Sequence, residues 1–156
     1  MSQKSEEFVP GLRYRTDAHE LWALLVEALG DWEVRMTEAA AAAGVSPVSA
    51  WALVQLDPDH AISQKALAKR LHCNPSTVVD PTDRLEEKGY VVRRPQPTDR
   101  RVNVLTVTDK GREARQALLR RLFDPPEAFR RLRPADQEKF RNAMLAAIGR
   151  TKAQSR

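Results

Sequence analysis

Arg93, Arg94, Arg100 and Arg101 crowd one short stretch of the chain, with Asp99 among them. A guanidinium is permanently charged, and its planar fork matches phosphate or carboxylate oxygens. The wider segment from Ser63 to Arg101 holds nine Lys/Arg against five Asp/Glu, so it carries four of the chain's five net positive charges. Charge confined in this way suggests a face for a polyanion. Charge alone is served as well by a solvated surface, so the decision falls to the elements that hold these residues. Other chemistry finds little support. There is no glycine-rich phosphate loop and no Ser-His-Asp pattern in a plausible context. Cys73 is the single cysteine, and His19, His60 and His72 are too scattered for a metal constellation. No catalytic residue, metal or cofactor is expected, and the chain reads as a binder rather than an enzyme.

Stepping by three or four from Leu21 through Leu25, Ala28 and Trp32 to Met36 predicts one helix from Thr16 to about Ala43. Trp22, Val26 and Leu29 form a second stripe beside the first. An apolar arc that wide needs cover on more than one side, which in a 156-residue chain points to a partner subunit. Gly44 ends this helix. Ser46-Pro47 starts the next by the cap-then-proline rule, with Val48, Trp51 and Val54 predicted inward. Ser63 caps a short helix with Ala66, Leu67 and Leu71 as its stripe. After the turn at His72-Cys73, Asn74-Pro75 repeats the start signal for a helix running to about Lys88 with Val78 and Leu85 inward, and Gly89 stops it.

Two β-branched runs follow, Tyr90 to Arg94 and Arg101 to Val107, with Val102, Val104 and Thr106 predicted on one side. Residues 95–100 form the hairpin tip between them. Thr108 caps a helix to about Phe123 with Ala114, Leu118 and Leu122 inward. Asp124-Pro125-Pro126 breaks it, and Pro134 opens a last helix with Phe140, Met144, Ala147 and Ile148 as its stripe. The fold expected is mainly α with a small β-hairpin wing: a winged helix-turn-helix flanked by N- and C-terminal dimerisation helices. Residues 1–15 are an arm, 16–150 one domain and 151–156 a frayed tail. Within the domain, 16–45 and 124–150 are dimerisation helices, 46–107 the winged helix-turn-helix and 108–123 a linking helix. A second capped helix after a tight turn can enter a major groove. No run is apolar enough to cross a bilayer and the first residues lack a signal-peptide core, so a cytoplasmic location away from membranes is expected.

SQKALAKRLHCNPSTVV, DRLEEKGYVVRR and DRRVNVLTVTDKG, all within residues 63–111, resemble the winged-helix core of the MarR family of bacterial regulators. The flanking helices extend the resemblance over roughly residues 16–150. It implies a homodimer whose first and last helices interlock on a palindromic double-stranded DNA operator, usually as a repressor released by a small aromatic or phenolic ligand. It also assigns roles. Ser76 and Thr77 fall in the first turn of the recognition helix, where hydroxyls and N–H groups reach phosphates and bases. Asp80 departs from the pattern, being acidic where the family often has a neutral or basic residue facing DNA; a carboxylate there would repel phosphate yet can accept from cytosine N4. Arg84 contacts phosphate or pairs with Glu87. Arg101 enters the minor groove, held by Asp99, while Arg93, Arg94 and Arg100 serve the phosphate backbone. Arg15, His19, Trp22 and Trp51 are candidates for an effector pocket, with core packing the alternative for each tryptophan.

Pro81 departs from the family pattern, which has an apolar residue there. Inside a helix it would cost about 3 kcal/mol and produce a kinked recognition helix with altered operator choice. Cys73 reads as a small buried hydrophobe rather than a redox sensor. The competing function is a winged helix used for protein–protein contact, which would lack an arginine-bearing wing.

Overall fold

The computed structural model describes residues 9–96 and 99–150, with the backbone alone for 99–101. The order of elements is α1 (Asp17–Ala28), α2 (Trp32–Ala43), α3 (Pro47–Gln55), β1 (Ile62–Ser63), α4 (Gln64–Arg70), a 3₁₀ turn (Pro75–Val78), α5 (Val79–Glu87), β2 (Val91–Gln96), β3 (Asp99–Val107), α6 (Asp109–Phe123), α7 (Glu127–Arg130) and α8 (Pro134–Ala147). The chain divides into two units, Met1–Leu122 and Phe123–Arg156. The architecture is mainly helical with a small antiparallel sheet, as expected.

In the first unit, local chemistry sets most boundaries. The Ser46 side chain accepts the Ser49 N–H at 3.1 Å, with Pro47 in the first turn, and Ser63 accepts the Ala66 N–H at 3.1 Å. Gly44 adopts φ +66° and lets the Val45 N–H reach back to the Ala40 carbonyl at 3.1 Å, which closes α2. Gly89, at φ +73°, closes α5 in the same way, with the Tyr90 N–H on the Leu85 carbonyl at 2.9 Å. Thr108 receives the Gly111 N–H at 3.0 Å and starts α6.

The first helix is not continuous. Residues 29–31 part α1 from α2, with the Gly30 N–H on the Glu27 carbonyl at 2.9 Å. Glycine has the largest entropy to lose in a helix interior, and the spacing from Leu21 to Met36 did not reveal the break. Val48, predicted inward, is 55% exposed. Asn74 makes no side-chain cap bond, and a 3₁₀ turn rather than an α-helix follows it.

The core of the first unit gathers Leu53, Leu56, Leu67, Val78, Leu85, Val91, Leu105 and Leu118, all essentially inaccessible to solvent. β3 supplies Leu105 and Val107 to it, on the face opposite Val104, which is buried but outside that cluster. The sheet order is β1-β3-β2, so β2 is an edge strand; it pairs with β3 from Val91↔Val107 to Pro95↔Asn103, then shifts register before Gln96. Gly111 lies against the end of the recognition segment: a Cβ there would sit 1.9 Å from the Tyr90 carbonyl oxygen.

In the second unit, Phe129 and Phe140 meet edge-on at 6.0 Å, and Gln137 donates to the carbonyls of Phe129 and Leu132 at 3.2 and 3.0 Å. On α8, Phe140, Ala147 and Ile148 from the predicted stripe are exposed in the single chain, Met144 is half-buried, and Leu145 is the buried residue.

Candidate nucleic-acid interface

The helix-turn-helix is α4, the turn at residues 71–74, and the segment 75–87. His72 takes φ +53° in that turn, a left-handed conformation that disfavours a side chain. Cys73 is half-buried against the core, and its N–H bonds the Ala68 carbonyl at 3.0 Å.

Ser76 and Thr77 are exposed at the start of the 75–87 segment, where they were expected. The backbone there is 3₁₀, and α-helix begins at Val79. That changes the reading of Pro81. It is buried and occupies the third position of α5, within the first turn. N–H groups of a first turn have no intrahelical partner, so a missing one costs little. The predicted proline kink in mid-helix is therefore replaced by a two-part segment with Pro81 near the junction.

Asp80 and Arg84 are both exposed, with Arg84 Nε 3.5 Å from Asp80 and Nη1 3.7 Å from Glu87. Such loose surface pairs are worth about 0.5 kcal/mol or less, so Arg84 can exchange them for phosphate cheaply. A groove of about 500 Å³ runs beside these residues, lined by Ser46, Asp80, Arg84, Glu87 and Lys88 among others. Val79, 45% exposed beside them, was not singled out from the sequence. An apolar side chain on this face suits the methyl group of thymine.

The hairpin arginines divide. Arg93 does not face outward. Its guanidinium is held between Asp83 and Glu86 on α5, and its Nη2 donates to Thr82 Oγ1 at 2.9 Å. Its side chain is 21% exposed. For the phosphate contact expected of it, Arg93 would have to draw its charge away from these two carboxylates. Arg94, next along the strand, is exposed. The side chains of Asp99, Arg100 and Arg101, and with them the predicted Asp99–Arg101 pair, lie outside the described residues.

Of the four effector candidates, Arg15 and His19 meet each other. The Arg15 N–H donates to His19 Nδ1 at 3.3 Å, and the His19 ring stands edge-on to Tyr14 at 5.8 Å. Trp22 is 67% exposed. Trp51 packs edge-on against Trp32 at 6.0 Å at the margin of the core. None of the four lines the groove beside α5, the 160 Å³ cavity under Tyr90 and Arg121, or the 520 Å³ groove around Phe129.

The TDKG stretch proves to be a joint. Thr108 Oγ1 donates to the Gly89 carbonyl at 2.6 Å, Lys110 Nζ donates to the Lys88 carbonyl at 2.7 Å, and Gly111 makes the close approach to Tyr90. Together they tie the end of the recognition segment to the start of α6.

Residues 45–102, which include the helix-turn-helix and most of the wing, match the MarR family model. Over that segment the chain resembles the MarR family. Among curated relatives, the chain is 34% identical over 76 residues to the HTH-type transcriptional repressor MdtR of Bacillus subtilis (strain 168), a match covering 49% of each. It is 38% identical over 71 residues to a putative transcriptional regulatory protein for the hcr operon of Thauera aromatica, covering 46% of this chain and 43% of that one. The chain thus spans about half the length of the curated relatives it matches. Among solved structures, it is similar to the transcriptional repressor CouR bound to a 23-mer DNA duplex, at 26% identity and TM-score 0.61, over 86% of this chain and 93% of that one. The crystal structure of MarR shares the fold at TM-score 0.67 and 23% identity, over 88% of this chain and 93% of that one.

Proposed function

We propose that this chain is a MarR-family, sequence-specific, double-stranded-DNA-binding transcriptional regulator that acts as a homodimer on a palindromic operator, most simply as a repressor. The observation that carries the reading is the pairing, in one packed unit, of an exposed polar helix start with an arginine-bearing hairpin. Ser76, Thr77 and Val79 would meet base edges and phosphates in the major groove. Arg84 and Arg94 would lie along the backbone, and Arg100 and Arg101 at the adjoining minor groove, with Asp99 orienting Arg101. The relative seen on a 23-mer duplex supports the same assignment.

Selection of bound duplex from a random library tests the proposal. The expected product is an inverted repeat with half-sites about one helical turn apart, bound with an affinity that falls steeply with salt. Recovery of no preferred duplex, with a flat salt response, would favour the protein-contact alternative instead.

Control by a small aromatic acid is the second part of the proposal. Arg15 or His19 would meet a carboxylate and Trp22 or Trp51 would stack on the ring, in a pocket completed by the partner. A related repressor, CouR from Rhodococcus jostii RHA1, has been seen with p-coumaroyl-CoA. A thermal-shift screen of aromatic carboxylates is expected to give at least one stabilising ligand that also weakens operator binding.

A further inference from the structure

We propose that Thr82, together with Gln64 and Arg93, is the joint that fixes the wing strand against the recognition helix, so that both meet the duplex in one register. The inference rests on the DNA-binding reading above and deepens it: these are positioning residues, with no contact to DNA required of them.

Thr82 is fully buried at the back of α5. A hydroxyl offers one proton and two lone pairs. Here all three are used. Gln64 Nε2 donates to Thr82 Oγ1 at 2.7 Å and Arg93 Nη2 at 2.9 Å, while the hydroxyl proton lies between the carbonyls of Val78 and Val79 at 2.8 and 2.9 Å. One side-chain atom thus joins the first residue of α4, the 3₁₀-to-α junction of the recognition segment, and the wing strand β2.

Arg93 completes the joint. Its guanidinium also pairs with Asp83 and Glu86, and its backbone N–H donates to Glu86 Oε1 at 3.1 Å. Strand and side chain of one residue are therefore both held by the same helix. A charge pinned in this way is a strut, and the planar fork of arginine, unlike a lysine ammonium, can serve all its partners at once.

The leverage follows from geometry. The hairpin tip begins about 10 Å beyond Arg93, at the usual rise of a strand. A tilt of about 6° at the joint displaces that point by about 1 Å, enough to spoil a hydrogen bond whose length range is about 0.5 Å. The wing contributes to sequence choice only if its base cannot rock.

The test uses the full chain, a duplex selected from a random library, and a scrambled duplex of the same length. Thr82→Val is expected to weaken the selected duplex about tenfold, as loss of a charge-assisted hydrogen bond would. The scrambled duplex should change by no more than about twofold and the salt slope should stay as in the wild type, because no phosphate contact is removed. Hydroxyl-radical protection over the flanking minor groove should fade while major-groove protection persists. Thr82→Ser, which keeps the hydroxyl, should restore both. Arg93→Gln, at the rim of the joint, should give the same pattern and stands in should the valine variant not fold. Two results overturn the inference while leaving DNA binding intact: a thermally destabilised Thr82→Val that binds and footprints like the wild type, or an Arg93→Gln whose salt slope falls by about one, which marks a direct phosphate contact. A wild-type chain that prefers no duplex removes the DNA-binding reading, and this inference with it.

Discussion

The winged segment and α1 lie in the same unit, yet they are finished to different degrees. Around the recognition helix, Val78 and Leu85 are buried and the buried hydroxyl of Thr82 has every hydrogen-bonding capacity filled. On α1, by contrast, Leu21 is 52% exposed, and Trp22 and, just past its end, Leu29 are 67% and 63% exposed. Only Ala23 is buried on that helix. A large apolar side chain gains about 1.5–3 kcal/mol on full burial, so a few of these on each copy approach the roughly 8 kcal/mol of a micromolar complex before association costs are counted. The winged segment holds its own interior, whereas α1 leaves most of its large apolar side chains exposed, as the proposed dimer would require.

The sharpest way to break this contrast is to charge the exposed face. Trp22→Glu combined with Leu29→Glu is expected to raise the dimer dissociation constant by about 100-fold or more, because carboxylates would be buried without partners. Sedimentation would show monomer at micromolar concentration, and operator affinity would fall with it while the winged segment keeps its fold. A wild-type chain that sediments as a monomer would erase the distinction. A lesion inside the finished region should act on folding instead. Gly111→Ala forces a methyl group into the Tyr90 carbonyl, and urea unfolding is expected to show a loss of about 3 kcal/mol.

Smaller changes sharpen the comparison. His72→Gly relieves the left-handed backbone in the helix-turn-helix and is expected to stabilise by about 0.5 kcal/mol, the gain being offset in part by the greater freedom of glycine in the unfolded chain. The finest effect is electrostatic. Asp57 accepts the Asp59 N–H at 2.8 Å and the His60 ring at 3.0 Å, which holds its carboxyl below the ordinary aspartate value. A lowered folded-state value means that this contribution is present above the unfolded value and is lost as pH falls through the folded one. An NMR titration should find the Asp57 midpoint below that of an unstructured peptide, and Asp57→Asn should flatten the acid limb of the stability curve slightly.

What could be read from sequence was mostly what is local. Ser46, Ser63 and Thr108 cap helices because a hydroxyl three residues before an N–H is a neighbour in any fold. Gly44 and Gly89 stop helices for equally local reasons. The misreadings came from partners distant in sequence or from competing local choices. Arg93 looked like a free cation because Asp83 and Glu86 precede it by ten and seven residues, a separation that shows no pairing until α5 folds back on β2. Trp32 and Met36 kept the helical step across Gly30, so the break between α1 and α2 left no gap in the pattern. Val79 gave no sign in the sequence, because an apolar helix residue does not announce its exposure. Exposure on α8 was hidden for the reason that applies to α1: an apolar stripe predicts burial and does not say in whose company.

β2 ends the sheet on one side, and such a border is normally an open seat for any extended peptide that passes. Pro95 takes away one of the N–H groups that a newcomer would need, the shift before Gln96 bends the ladder out of line, and Arg94 sets a charge in the approach. A chain crowded among others of its kind would thereby keep this strand from being recruited into a growing fibre.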